Sequence, residues 1–391
     1  MKSKLAIFGG TPVLSTTPPI KSSVGKAELA AVNSTLADGV LSAFRGGPRV
    51  RAFEKAFAAY VGTSYAVATT SGTTALHASL SALGLQKGDE VLVPAMTFVS
   101  TASVALQENL SVVFVDIDEY FCMDVDDLKS KITSKSKAII PVHLYGQSAR
   151  MREIMEIAAK HSLFVIEDAC QAHGALDRDK KTGNLGDVGC FSFFETKNMT
   201  CGEGGMITTS NKKFYEQICL RREHGSPRNS STWYDYKKLG YNYNMTELQG
   251  AIGLAQLAKL DDMNAARKAN AALYSRHLKG LGLDLPKIRR GSQSVFHNYP
   301  VLLPKKLRSK RAFFVDAMRA EGIPIDIAYP TTLYQTELFV RLGIDGNCPF
   351  AEDASSRLFT LFTDSAINET VIMATSHAIQ KILMYLKQKD K

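Results

Sequence analysis

Three short segments carry the residue types best suited to chemistry. The most specific runs from Cys190 to Thr209, CFSFFETKNMTCGEGGMITT. In it Lys197 follows one apolar strand-like run and precedes another. The glycine-rich turn Gly202-Glu203-Gly204-Gly205 lets the backbone approach closely. A lysine on its own is by default a solvated surface residue. A lysine between two buried strands is different, because burial and nearby cations favour the neutral amine that Schiff-base chemistry needs. Ser192, five residues earlier, is placed to reach a phosphate. The second segment is Glu167-Asp168-Ala169-Cys170-Gln171-Ala172-His173-Gly174, after the apolar run LFVI. An acid at the carboxyl end of a buried strand needs a partner. A protonated pyridine-type nitrogen suits Asp168 and would remain an electron sink beside it. A plain helix cap fits Asp168 equally well. Gln171 can reach a ring hydroxyl, and His173 can stand behind Asp168. His143, His224 and His297 read as satisfied core residues.

The third segment is Ser71-Gly72-Thr73-Thr74, between the strand-like YAVATT and the helical TTALHASLSAL. A strand, a glycine turn and a helix N-terminus present free N–H groups and a positive dipole end, a ready anion site. An ordinary Ser/Thr cap is the plainer alternative. No Gly-Lys-Ser/Thr follows, so this is no P-loop, and no G-x-G-x-x-G opens a helix. Two weaker signals complete the set. Phe98, just past the run EVLVP, can stack on a planar ring or serve as core. In Gly240-Tyr241-Asn242-Tyr243-Asn244, the two asparagines can bind a ligand or merely cap the next helix.

These residues need a frame to hold them. Tyr65–Thr69, Glu90–Val93, Ser111–Val115, Ala138–Val142 and Leu163–Glu167 are short β-branched apolar runs, with helical stretches such as Glu54–Tyr60 and Thr74–Leu85 among them. The alternation predicts an α/β fold with a mostly parallel sheet covered on both faces. Ligands of such sheets bind beyond the carboxyl ends of the strands, where the chemical residues fall. A long helical pattern covers Thr246–Leu278. His297–Leu303 then reads as a strand, and Arg311–Glu321 and Val371–Leu386 as helices, making a smaller α+β unit of roughly a hundred residues. The division expected is a wrapping segment at 1–50, a large domain at 51–250, and a linking helix with a small domain at 251–391.

With 391 residues the chain exceeds the usual size of one core, and 45% apolar and 22% charged residues are ordinary for a globular protein. No apolar run is long enough to span a bilayer. The N-terminus lacks signal-peptide features, and the six cysteines form no CxxC pair. A reducing cytoplasm is therefore expected, without membrane, metal site or disulfide frame. The formal charge of +9 suits an anionic ligand. The run Lys305, Lys306, Arg308, Lys310, Arg311 reads as a solvated face opening a helix, and no nucleic-acid signature accompanies it.

Taken in order, SGTTAL, GDEVLVPAMTF, PVHLYGQ, IEDACQAHGA, FSFFETKNMTCGEGG and GYNYNMTELQGAIGLAQL resemble the DegT/StrS sugar aminotransferases, pyridoxal-phosphate enzymes of aspartate aminotransferase fold type I. The resemblance covers nearly the whole chain. It implies a seven-stranded-type sheet in a large pyridoxal-phosphate domain. By resemblance, Lys197 carries pyridoxal 5'-phosphate as a Schiff base and Asp168 meets the ring nitrogen. Gln171 meets the ring oxygen, and Phe98 stacks on the ring. Gly72, Thr73, Thr74 and Ser192 hold the phosphate. A homodimer is implied whose interface contains the site, with Asn242 or Asn244 reaching the neighbouring subunit's phosphate. Many members have Arg where this chain has Asn244, so the choice between the two asparagines stays open. The activity implied is transfer of an amino group from glutamate to a keto-sugar, for surface polysaccharide or a secondary metabolite. The acceptor would be a nucleotide-linked keto-hexose or a free keto-octulosonate-type sugar. Arg45, Arg222, His224, Tyr329 and Tyr334 are candidates to line its pocket. A sugar dehydratase on the same fold and a non-catalytic cofactor-binding regulator are the alternatives. The family's dehydratases carry His at the lysine position.

Overall fold

The apolar runs that end on Asp, Pro or a small turn form one sheet, and its edges fall close to where the sequence puts them. The computed structural model describes residues 4–18, 23–42, 46–232 and 234–389. Helix α1 spans Lys26–Asp38 and α2 spans Pro48–Val61, opened by a proline whose missing N–H costs nothing in a first turn. Then come β1 (Tyr65–Thr69), α3 (Gly72–Ala82), β2 (Glu90–Pro94), α4 (Ser100–Gln107), β3 (Ser111–Val115), α5 (Val125–Lys131), β4 (Ser136–Ile139), α6 (Met151–His161) and β5 (Phe164–Asp168). Two two-residue strands, β6 (Leu176–Asp177) and β7 (Lys180–Lys181), precede β8 (Val188–Ser192) and β9 (Gly205–Thr209).

The main sheet has seven strands in the order β1-β9-β8-β5-β4-β2-β3. The β2–β3, β2–β4, β4–β5 and β5–β8 pairs are parallel, and β9 runs antiparallel to both its neighbours. This is the mostly parallel α/β sheet that the alternation predicts. Its strands are nearly continuous in burial because helices cover both faces. The expected strand at Ala138–Val142 begins earlier and stops at Ile139. Pro141, which has no N–H to give a ladder, lies just beyond it.

Helix α7 (Lys212–Arg222) follows the sheet. The helical stretch expected as one element over Thr246–Leu278 is two, α8 (Glu247–Leu257) and α9 (Leu260–Leu278), separated at Ala258 and Lys259. Its composition contains no Gly or Pro at the break, so the periodicity carries no sign of it. A short strand β10 (Ser292–Gln293) pairs with β6. The second unit holds β11 (Tyr299–Leu302), α10 (Arg311–Ala320), β12 (Ile325–Asp326), α11 (Glu337–Arg341), α12 (Pro349–Arg357), β13 (Leu358–Leu361) and α13 (Glu369–Lys389). Its antiparallel sheet has the order β11-β13-β12. It shares a core with α9, α10 and α13, built around Tyr274, Tyr299, Phe314 and Phe359.

The N-terminal segment packs on both units. Leu5 is buried in the core of the second unit, and the Ala6 and Val13 N–H groups donate to Glu321. Helix α1 lies against α8. Among the described residues no helix is long and apolar enough to cross a membrane. Lys305, Lys306, Arg308 and Lys310 are exposed ahead of α10, as a solvated face should be, whereas Arg311 is half-buried and donates to the Ser355 carbonyl.

Candidate active site

Four strand ends converge on one cavity of about 490 Å³, within the range of small-molecule sites. Beyond β1 lies the turn into α3. Ser71 caps the helix, its Oγ accepting from the Thr74 N–H at 3.1 Å. The Gly72 and Thr73 N–H groups belong to the first turn, where no helical acceptor exists, so they are left for a ligand. Thr73 Oγ1 also hydrogen-bonds Ser100 Oγ at 2.7 Å. Ser71, Gly72 and Thr73 line the cavity, but Thr74 does not. Its hydroxyl closes the cap, accepting from the Ser71 N–H at 2.9 Å.

The glycines of this region are required by close approach. A Cβ on Gly72 would meet Ser192 Cβ at 2.7 Å and Cys170 Sγ at 2.9 Å. A Cβ on Gly205 would lie 2.1 Å from the Ser71 carbonyl oxygen. The Gly72 backbone therefore packs directly on the Cys170 and Ser192 side chains, and Gly205 on the Ser71 backbone, leaving no room for a Cβ at either glycine.

Asp168 ends β5 and is buried. Its Oδ2 accepts from Thr101 Oγ1 at 2.8 Å and its Oδ1 from the Cys170 N–H at 3.2 Å. Thr101 Oγ1 shares a 3.0 Å hydrogen bond with Thr97 Oγ1. The carboxylate is thus oriented by α4 rather than by His173. The ring of His173 packs against Phe191 and Phe193 and makes no hydrogen bond to Asp168. Burial holds its pKa down at about 3.

Lys197 lies in the turn between β8 and β9, its N–H bonded to the Phe194 carbonyl at 2.9 Å. Its side chain lines the cavity. Burial lowers its pKa, with the charges of Cys170 and Asp168 pulling the other way. The depressed value favours the neutral amine. Ser192 and Phe98 line the same cavity, and Phe98 keeps 60% of its surface exposed. Gln171 spans the site: its Oε1 accepts from the Tyr145 N–H at 2.9 Å and its Nε2 donates to Tyr329 Oη at 2.7 Å. Tyr145 and Tyr329 both take left-handed backbone angles, with φ of 56° and 55°. Non-glycine residues held this way mark places where the surrounding structure fixes an unfavourable conformation.

Of the acceptor-pocket candidates, Tyr329 lines the cavity. Tyr334 does not: it is buried and donates to Glu352 at 2.6 Å. Arg222 is buried 3.2 Å from Glu223, also away from the cavity, and His224 lies beside it in sequence off the cavity wall. Arg45 lies outside the described residues. Asn242 and Asn244 do not line this chain's own cavity. Asn244 Nδ2 donates to Glu223 Oε1 at 2.9 Å and to Asn242 Oδ1 at 3.0 Å.

Sequence reasoning missed His297 and Asn298, which line the cavity. They were absorbed into an expected strand that in fact begins at Tyr299. His297 Nδ1 hydrogen-bonds Asn198 Oδ1 at 3.1 Å, and burial among Lys197 and Arg267 keeps the ring neutral. Asn198 Nδ2 in turn donates to Asn264 Oδ1 at 2.8 Å, tying the lysine turn to α9. His143, read as a core residue, pairs with the buried Glu167 at 2.8 Å.

An anion-binding helix start, a strand-end carboxylate and a half-buried lysine around one cavity suit a phosphorylated pyridine aldehyde. Residues 22–380 match the DegT/DnrJ/EryC1/StrS aminotransferase family. The chain belongs to that family. It is 38% identical over 86% of its length to the UDP-N-acetyl-3-dehydro-alpha-D-glucosamine 3-aminotransferase of Acidithiobacillus ferrooxidans, covering 89% of that protein. It is 43% identical over 69% of its length to the GDP-perosamine synthase of Caulobacter vibrioides, covering 73% of it. Its fold superposes with a TM-score of 0.88 on the pyridoxamine-phosphate form of a putative sugar aminotransferase from Streptococcus pneumoniae, 26% identical, with 96% of this chain and 99% of that one covered. DegT/DnrJ/EryC1/StrS enzymes use pyridoxal 5'-phosphate, and this chain is a pyridoxal-phosphate-dependent aminotransferase among sugar aminotransferases.

Proposed function

We propose that this enzyme moves the amino group of glutamate to a keto-sugar, in the making of an amino sugar for surface polysaccharide or a secondary metabolite. The observation that carries this reading is the buried amine of Lys197 sharing one cavity with the carboxylate of Asp168 and the N-terminus of α3. Bound there, pyridoxal 5'-phosphate supplies a carbonyl carbon for the exchange of amines and a ring that accepts the electron pair released at the substrate Cα.

Each residue then has a task. Lys197 holds the cofactor and, once displaced by the donor, moves the proton at the donor's Cα. Asp168, held by Thr101, keeps the ring nitrogen protonated. Phe98 offers its exposed face to the ring, and Gln171 directs its second N–H to the ring oxygen. The N–H groups of Gly72 and Thr73, with the hydroxyls of Thr73 and Ser192, bind the phosphate. Thr74 acts through the cap that shapes this turn. The partner subunit's Asn242 or the partner subunit's Asn244 completes the phosphate site in a homodimer. Two half-reactions imply ping-pong kinetics. The acceptor is a nucleotide-linked keto-hexose or a free keto-octulosonate-type sugar, in keeping with the formal charge of +9.

Purified protein should absorb in the visible region, and glutamate should shift that band with release of 2-oxoglutarate. Lys197→Ala should lose both responses. Normal turnover by Lys197→Ala would refute the assignment, and sugar conversion without 2-oxoglutarate would mark a dehydratase instead. A screen of keto-sugars against labelled glutamate would identify the acceptor.

A further inference from the structure

Behind the lysine turn a second chamber of about 180 Å³ adjoins the main cavity. Thr196, Lys197, His297 and Asn298 line both, so they form the wall between them. Arg267 of α9 lines only the second. It is 9% exposed. Its Nη1 donates to the His297 carbonyl at 3.1 Å and to Thr363 Oγ1 at 3.2 Å, both neutral acceptors. Its Nε and Nη2 make no hydrogen bond and no ion pair among the described residues. A buried guanidinium without a paired anion is costly, and burial pulls the pKa of Arg267 down, the more distant charge of Asp364 opposing it. None of the acids around the chamber pairs with Arg267 among the described residues, although the charge of Asp364 is felt there. Asp364 accepts from the Ala366 N–H at 2.9 Å, and Asp326 accepts from the Ile327 N–H at 2.8 Å and faces Arg319 at 3.7 Å. Glu195 is exposed.

An α-amino acid reacting at Lys197 keeps its α-carboxylate on the reacting carbon, in the main cavity that Arg267 does not line. The second chamber is the space on the other side of Lys197, Thr196, His297 and Asn298. We propose that Arg267 is the subsite for the distal carboxylate of a dicarboxylic amino donor, a specificity-determining residue. The proposal rests on the aminotransferase reading above. The planar fork of the guanidinium, with its free Nε and Nη2 edge, matches a carboxylate in bidentate fashion. Its two existing bonds to the His297 and Thr363 segments hold that edge in place.

The donor half-reaction, followed by absorbance, tests this with glutamate and with alanine, which lacks the distal carboxylate. Wild type should prefer glutamate. Arg267→Gln should lower kcat/KM for glutamate roughly 10- to 100-fold, the size expected for a hydrogen bond to a charged group, and leave alanine unchanged. Arg267→Lys should recover part of the loss. Glutarate, which cannot react, should raise the Tm of wild type and not of Arg267→Gln. Equal losses for glutamate and alanine, or unchanged glutamate kinetics in a folded Arg267→Gln, would overturn the proposal. If Arg267→Gln does not fold, a wild type indifferent between glutamate and alanine, or unprotected by glutarate, overturns it equally. A wild type inert to every amino donor sinks the aminotransferase reading itself.

Discussion

Asp168 shows how much a residue's task depends on what orients it. The carboxylate is fixed by Thr101 and the Cys170 N–H, so its geometry survives loss of charge. Asp168→Asn should therefore fold normally but fail to hold a proton on the ring nitrogen. We expect kcat to fall by about 10²- to 10³-fold, within the range of proton-handling groups, with the Tm nearly unchanged. Thr101→Val should cost less, because the Cys170 N–H remains; steady-state kinetics of the two variants would order them. Lys197, Asp168, Gly72 and Phe98 were legible from residue type and position after strands. His297, Asn298 and Thr101 were not. A histidine ahead of a strand and a threonine within a helix carry no mark in one sequence; only folding brings His297 and Asn298 to the cavity and Thr101 to Asp168.

At the level of elements, the turn from β1 into α3 is held by contact with β8 and β9. Gly72→Ala would place a methyl group against Ser192 and Cys170. Overpacking of this kind costs about 1–3 kcal/mol. The variant should show a lower Tm and weaker pyridoxal-phosphate affinity, measured by titrating stripped protein with the cofactor. Unaltered affinity would remove the turn from the phosphate site. The strands over Tyr65–Thr69 and Ser111–Val115 were readable to the residue because polar and turn-forming residues bound them. The break at Ala258 and Lys259 was invisible, since both residues favour helix and tertiary packing alone parts α8 from α9.

For the whole molecule, two buried neutral histidines beneath the site tie stability to pH. His173 has its pKa lowered from 6.5 to about 3, and that of His297 is also lowered by burial and the nearby Lys197. Below pH 6.5 the unfolded chain binds a proton that the folded chain refuses. This contribution is therefore complete above pH 6.5 and is lost as pH falls toward 3. At pH 5 the part lost amounts to about 2 kcal/mol for His173. His173→Phe, whose ring suits the Phe191 and Phe193 pocket, should lose about 2 kcal/mol less than wild type between pH 7 and pH 5 in urea unfolding. An identical pH dependence would show that His173 is not the group responsible.

The sequence by itself determined the alternation of strand and helix, the mostly parallel sheet and the placing of chemistry at strand ends. Each follows from local pattern: apolar runs, turn residues and cap residues act within a few positions of one another. The tertiary structure decided the rest. It chose Thr101 over His173 as the support of Asp168, and committed Thr74 to a cap. It also brought Arg267 of α9 beside Lys197, 70 positions away in the numbering. These outcomes depend on distances between segments remote in the chain, and such distances are set by packing of the two cores, which no local pattern encodes.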